Sequence, residues 1–332
     1  AEYTAGVLAA ALREGYAGPV FIQADHAQVN AAAYKKDSAA EIARLEKIMR
    51  EQIAASYYNI DIDASTLVDL SFPTVVEQQR LNAEVTAHFT KFVRALEPEG
   101  ITISLGAEIG EVGHHTTTPE ELRAFMETYP KAIATSGKSP VPVSKISVNS
   151  GTYHGGKVMP DGTLAPVDVD YATLTTLSEI CRREFEMGGV VQHGASTLPR
   201  SQLAKFPGAG AIEIHLALGF NNLIFDHPAL PEAIRQEIRD YTFANHQHER
   251  APGENDKQFL YNLRKKAWKV VKQRFWDLPE PVEREIMASL QAMFTGMFTD
   301  MNAANTRDLV AEHTTLKKIA PPMPAAVASW CS

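Results

Sequence analysis

Six short apolar runs, each trailed by a longer stretch of helical periodicity, organise this 332-residue chain up to about residue 225. The runs are PVFIQAD (19–25), YYNIDID (57–63), ITISLGAEI (101–109), KISVNSGT (145–152), GGVVQHG (188–194) and AIEIHLAL (211–218). They are rich in β-branched residues and too short for helices, as parallel strands buried on both faces are. The intervening helices have legible ends. SAAEIARLEKIMREQI opens with Ser38 and Glu41 at capping-box spacing, and TPEELRAFMETY has Thr118, Pro119 and Glu121 in the same roles. The helix that ends REFEMGG is expected to stop at Gly188-Gly189.

Successive βα units require a parallel sheet, either open or closed into a barrel. The polar residues favour closure. Asp25-His26, Asp63, Ser65, Glu108, His154, His193 and His215 all fall in or just after the C-terminal halves of their strands. In a barrel those ends meet at one mouth, whereas an open sheet gathers such residues at a single switch point. The expected fold is therefore α/β, a TIM (β/α)8-type barrel. Only six strands are visible and the sequence starts on a helix without a methionine, so the first two βα units are expected to be missing from this chain. Six parallel strands enclose too little room for a layered barrel interior, so a gap is expected instead of closure. After residue 228 only helical patterns remain. Residues 1–228 are read as the partial barrel domain, and 229–332 as a helical C-terminal extension with a Pro-rich tail.

A formal net charge of −8 argues against a nucleic-acid partner, whose phosphates call for a basic surface. No apolar run approaches the ~20 residues of a membrane span. Two cysteines, Cys181 and Cys331, make no disulfide framework, and a reducing, cytoplasmic location is expected.

Two strands end in the same way: VNSGTYHGG carries His154, and GGVVQHGAS carries His193. Polar turn residues at strand ends are one explanation. The other is a shared metal, because QADHAQ adds His26 at a third strand end and Glu108 supplies a nearby carboxylate. Three protein ligands and an open position make a catalytic zinc site. Asp25 beside His26 would place a base at the same mouth, with the two adjacent side chains diverging. Gly155, Gly156 and Gly194 either form tight βα turns or offer backbone N–H groups to an anion, with Ser196 adding a hydroxyl. PGAGAIE (207–213) precedes a strand instead of following one, so it is no dinucleotide loop. His246 and His248 read as surface residues on a helix. His114 and His115, in the loop after the Glu108 strand, lie near enough to the mouth to matter.

ADH, IDAS, AEIG, SGTYHGG and HGAS follow one another on successive strands, and this ordered set resembles the class II, metal-dependent fructose- and tagatose-bisphosphate aldolases over about residues 19–225. The resemblance implies a TIM barrel with zinc at its mouth, and leaves a second divalent or monovalent cation open beside it. His26, His154 and His193 would be the zinc ligands, Glu108 a further or alternate ligand, and Asp25 the proton-transferring aspartate. Gly155, Gly194 and Ser196 match substrate-binding positions. The family's final strand carries Asn-x-Asp-Thr for the enediolate and the phosphate. Here the stretch reads IHLAL, which places His215 there and loses those phosphate donors. A small-molecule ketose or ketose-phosphate substrate and a homo-oligomer are expected. A zinc hydrolase on the same scaffold and a non-catalytic, aldolase-like subunit are the competing readings.

Overall fold

The computed structural model describes residues 1–109, 115–134, 140–152 and 158–319. By contact density the chain forms two compact units: Ala1–Asn149, Thr173–Val191 and Thr306–Ser332 make the first, and Ser150–Ala172 with Gln192–Asn305 the second.

Among the described residues the elements run α1 (Glu2–Arg13), β1 (Gln23–Gln28), α2 (Ala31–Lys36), α3 (Ser38–Ala54), β2 (Asn59–Asp63), α4 (Val75–Arg94), β3 (Ser104–Glu108), α5 (Pro119–Ile133), β4 (Lys145–Val148), α6 (Tyr171–Glu184) and β5 (Gly189–Gln192). There follow α7 (Arg200–Leu203), β6 (Ala211–Ile214), α8 (Leu218–Phe225), α9 (Glu232–Asn245), α10 (Asp256–Leu263), α11 (Trp268–Trp276), α12 (Glu280–Asp300) and α13 (Arg307–His313). The hydrogen-bonded strand order is β1-β2-β3-β4-β5-β6, so chain order and sheet order coincide. Pairing is parallel from β1 through β4. All six expected strands are present, and β1 and β6 are the ends of that order.

The first strand departs most from the sequence reading. It starts at Gln23 and continues through Asp25-His26 to Gln28. Ala24 is level with Ile60 and Ala27 with Ile62, so Asp25 and His26 together face the single residue Asp61. This is a β-bulge, and it puts His26 in the left-handed region at φ 53°. A non-glycine there costs on the order of 1–3 kcal/mol, which the surroundings must supply.

Two helix ends are also corrected. The N-cap of α3 is Asp37, whose side chain accepts from the Ala40 N–H, and not Ser38. Glu41 instead accepts from the Asn30 N–H and from the Arg44 guanidinium, both at 2.7 Å. α6 stops at Glu184, and the left-handed position belongs to Glu186 at φ 54°. The Thr118–Glu121 capping box of α5 is present, with Pro119 as its first helical residue.

In the first unit the apolar residues of the strands, among them Ile60, Ile62, Leu105, Ala107 and Ile146, are fully buried. Phe125 and Tyr129 of α5 stack at 5.5 Å, and the Tyr129 hydroxyl accepts from the Val143 N–H at 2.9 Å. The second unit has its own core of Phe225, Leu230, Ile234, Ile238, Ala267, Val271 and Ile286, against which Trp268 and Phe275 pack. Trp276, Phe294 and Phe298 stay exposed. No helix among the described residues is long and apolar enough to cross a membrane.

Candidate functional site

The sequence NIDID explains the polar face of the first unit's sheet. Alternation along β2 turns Ile60 and Ile62 one way, and Asp61 and Asp63 the other. Register carries that second face across the sheet: Asp61 is level with Gly106, and Gly106 with Lys145. Glu108, two residues beyond Gly106, shares the face and is level with Ser147.

The bulge brings β1 to this face. His26 Nδ1 lies 3.1 Å from Asp63 Oδ2 and 3.0 Å from Glu108 Oε1, while its Nε2 is 3.7 Å from Asp25 Oδ1. Asp25 and His26 therefore do not diverge as regular strand neighbours would. Potential ligand atoms of Asp25, His26 and Glu108 lie within 4.8 Å of one another. Asp63 is held by the Gln28 amide at 2.6 Å and the Ser65 hydroxyl at 2.7 Å.

One level down, Lys145 Nζ and Asp61 Oδ1 are 3.4 Å apart, each side chain only 1% exposed. The Gln23 amide donates to Asp61 Oδ2 at 2.5 Å. Gly106 keeps this pair possible: a Cβ at that position would fall 2.2 Å from Asp61 Oδ1 and 3.1 Å from Lys145 Cε.

Four carboxyl groups thus share a mostly buried face with one ammonium and one imidazole, and protons make up the deficit. Burial alone would lower the His26 pKa, but its hydrogen bonds to Asp63 and Glu108 and the charges of Glu108 and Asp25 push it up to about 11. Burial raises Glu108 to about 8, against the opposing pull of His26 and with the charges of Asp63 and Asp25 adding to the rise. Asp63 stays below the usual carboxylate range: burial works against this, but His26 and Ser65 outweigh it. Imidazole and carboxylate oxygens gathered around retained protons are the donors a divalent cation replaces protons on. The residues of this face fit a metal.

The second unit holds His193, Gly194, Ser196 and His215. Gln192 and Ser150 are fully buried, and Ser150 donates to Gln192 Oε1 at 2.6 Å while Gln192 donates to Thr152 Oγ1 at 2.8 Å. Thr152 in turn donates to the His193 carbonyl at 2.7 Å. This network ties the chain after β4 to the end of β5. His193 Nε2 and His215 Nδ1 are 2.8 Å apart with their rings stacked, and His215 Nε2 is 3.2 Å from Glu213 Oε2. Gly194 turns at φ 71°. The Ser196 hydroxyl accepts from the Gly219 N–H at 3.2 Å, close to the start of α8.

His154, Gly155, Gly156 and His114 lie outside the described residues. His115 is 3.1 Å from Glu121, the capping-box residue of α5. His246 caps the C-terminus of α9 and bonds Glu249 at 2.7 Å, and His248 lies in the short 3-10 helix Gln247–Glu249 that follows, so the two do not share one α-helix. Asp61, Lys145, Gln192 and Glu213 were not among the residues singled out from sequence, and Asp63 was placed at a strand end without a role. The aspartates had a signal in the alternation of NIDID; a lysine opening an apolar strand was another.

A parallel α/β chain whose Asp-His bulge lies beside a buried glutamate presents the donor types of a divalent-cation site. The match to a family model makes the assignment: residues 1–279 match the class-II fructose-bisphosphate aldolases, and this chain belongs to that family. A search of curated proteins gave no match. Among solved structures, a Sinorhizobium meliloti 1021 protein described as a probable tagatose 6 phosphate kinase is 15% identical, with a TM-score of 0.58 over 93% of this chain and 86% of that one. The fructuronate-tagaturonate epimerase UxaE of Cohnella laeviribosi, 11% identical, has a TM-score of 0.58 over 88% of this chain and 70% of its own. A fructose-bisphosphate aldolase from Campylobacter jejuni is 16% identical, with a TM-score of 0.45 over 89% of this chain and 73% of that one.

Proposed function

We propose that this protein is a metal-dependent aldolase that makes or cleaves a carbon–carbon bond in a ketose or ketose phosphate. The observation that carries the reading is the bulge in β1, which sets Asp25 and His26 of a class II family member together beside Glu108. The family's ordered motifs supply His26, His154 and His193 as ligands of a divalent ion, zinc before others, with Glu108 as the further carboxylate. Such an ion, when bound, supplies Lewis-acid polarisation of a ketone carbonyl.

The chain's own residues do the rest. The Asp25 side chain is 42% exposed while Glu108 and Asp63 are buried, so Asp25 is the carboxylate within reach of a substrate. In the cleavage direction Asp25 takes the proton of the hydroxyl as the adjacent carbon–carbon bond breaks, and it returns that proton in synthesis. Glu108 and Asp63 hold His26 by its Nδ1 and fix the plane of the ring. By the family motif, Gly155, Gly194 and Ser196 would bind the substrate.

The final strand favours a second reading at the level of substrate. His215 stands where the family has its phosphate-binding pattern, which suits a sugar acid or free ketose and an epimerase outcome like that named for the Cohnella laeviribosi protein. Products separate the two: an aldolase yields two smaller carbonyl compounds, and an epimerase yields one isomer. The metal is tested by its stoichiometry in purified protein. Replacing His26, His154 or His193 with alanine should each remove most of it, because two ligands seldom hold zinc firmly. Full occupancy in all three variants contradicts the ligand set.

A further inference from the structure

The long helix α12 is apolar on two opposite faces, which a helix at a surface ordinarily is not. One face packs on its own unit: Ile286 and Met297 are buried, and Val282 and Leu290 lie against the core around Phe225. On the other face Met287 is 47%, Phe294 40% and Phe298 49% exposed. The Phe294 ring stacks on Phe220 of α8 at 4.5 Å and lies 6.1 Å from the Phe298 ring, so these rings are held in a row although they are half exposed.

The order of residues along the outward face points to what covers it. Glu280, Arg284, Met287, Gln291, Phe294 and Phe298 follow one another at steps of four, three, four, three and four residues. That is the seam of a heptad repeat, carried along the whole 21-residue helix, and such a seam receives another helix. The seam is also complementary to its own reverse. Gln291 stands near the middle of the helix. Around that point an antiparallel second copy of α12 sets Phe294 opposite Ala288 and Gln291, bulky against small. It sets Phe298 opposite Met287 and Arg284, where a thioether and a guanidinium both favour an aromatic ring. Arg284, 72% exposed and paired with Glu280 at 2.5 Å, brings its charge to the last turn of the other helix, where the helix dipole favours a cation. An unlike partner would require no such palindrome, whereas a two-fold contact between identical chains does.

We infer that the outward face of α12 docks on the same face of a second copy of this chain, as an antiparallel helix pair with its two-fold axis near Gln291. The homo-oligomer expected from the sequence thereby acquires a specific contact, one that does not depend on the metal chemistry proposed above. Each paired helix is about 31 Å long, from 21 residues at 1.5 Å each. A contact of that size lies at the small end of specific interfaces, so the dimer is expected to form reversibly at micromolar concentrations.

Sedimentation velocity of the whole chain over roughly 1–200 μM tests the pairing and should show a monomer–dimer equilibrium within that range. A chain that stays monomeric throughout overturns it. Phe298→Arg sets two guanidinium groups together at each end of the seam and should weaken the dimer at least about tenfold. Adding Arg284→Glu to that variant places opposite charges there and should return most of the lost affinity. Positions 284 and 298 lie ~21 Å apart along one helix, so such a rescue arises only between antiparallel copies. Gln291→Lys, at an exposed position, brings two ammonium groups to the two-fold axis and should weaken the dimer to a similar degree; it decides the matter if Phe298→Arg fails to fold. Dimerisation unchanged by either substitution, or a charge reversal that recovers nothing, overturns the proposal.

Discussion

Gly106→Ala tests the buried pair beneath the candidate site. The added Cβ would sit 2.2 Å from Asp61 Oδ1 and 3.0 Å from its Cγ. That is about 1.2 Å inside ordinary van der Waals contact, far beyond what a well-packed neighbour yields. Lys145 Cε, at 3.1 Å, blocks the other side. Asp61 cannot rotate away cheaply, because it would leave both the Lys145 ammonium at 3.4 Å and the Gln23 amide at 2.5 Å. Overpacking alone costs ~1–3 kcal/mol, and separating a buried ion pair ~3–5 kcal/mol. Partial relaxation of the strands places the expected loss at about 2–4 kcal/mol. Urea unfolding of the metal-free chain, followed by far-ultraviolet circular dichroism, should show the midpoint fall by roughly 1 M or more, with m of ~1–3 kcal/mol/M. A loss under about 0.5 kcal/mol, the usual range of a harmless surface change, would refute the packing argument.

Lys145→Met alone leaves the Asp61 carboxylate buried without its ammonium and should cost ~3–5 kcal/mol, whereas Asp61→Asn combined with Lys145→Met should recover part of that in a double-mutant cycle. Asp25→Asn should retain bound metal and slow turnover by ~10²–10⁴-fold, and metal loss as its sole effect would reverse the roles of Asp25 and the histidines. Glu41 is held below its ordinary pKa of 4.5 chiefly by its hydrogen bonds with Arg44, and the Asn30 N–H adds to this. Its contribution is therefore present above pH 4.5 and lost as pH falls through the lowered value. Glu41→Gln should accordingly cost about 1 kcal/mol at pH 7 by thermal unfolding, with the gap closing towards pH 3.

Much of the fold could be read from residue pattern. Short apolar runs separated by amphipathic helices fix parallel strands in chain order, because each βα unit returns the chain to the same end of the sheet. Pattern could not show the bulge in β1. It depends on Ala24 and Ala27 finding Ile60 and Ile62 across the pair, a long-range register that QADHAQ does not encode locally. The positions of Asp25 and His26 follow from that one inserted residue. Asp61 and Lys145 escaped notice because they look like ordinary polar interruptions of a strand. Only the level Asp61–Gly106–Lys145, drawn from three strands, makes them partners. His215 was visible as a departure from the family, but its partners Glu213 and His193 show that it faces an imidazole.

The central claim is metal-dependent carbon–carbon chemistry on a ketose. It is tested most directly by incubating the metal-loaded protein with a panel of phosphorylated and free ketoses and measuring aldehyde release with and without a chelator. The account predicts that at least one ketose is split into two carbonyl products, that chelator stops the reaction, and that added zinc or cobalt restores it. Cleavage that persists undiminished after the metal is stripped, or a metal-loaded protein that splits none of the panel, would contradict it.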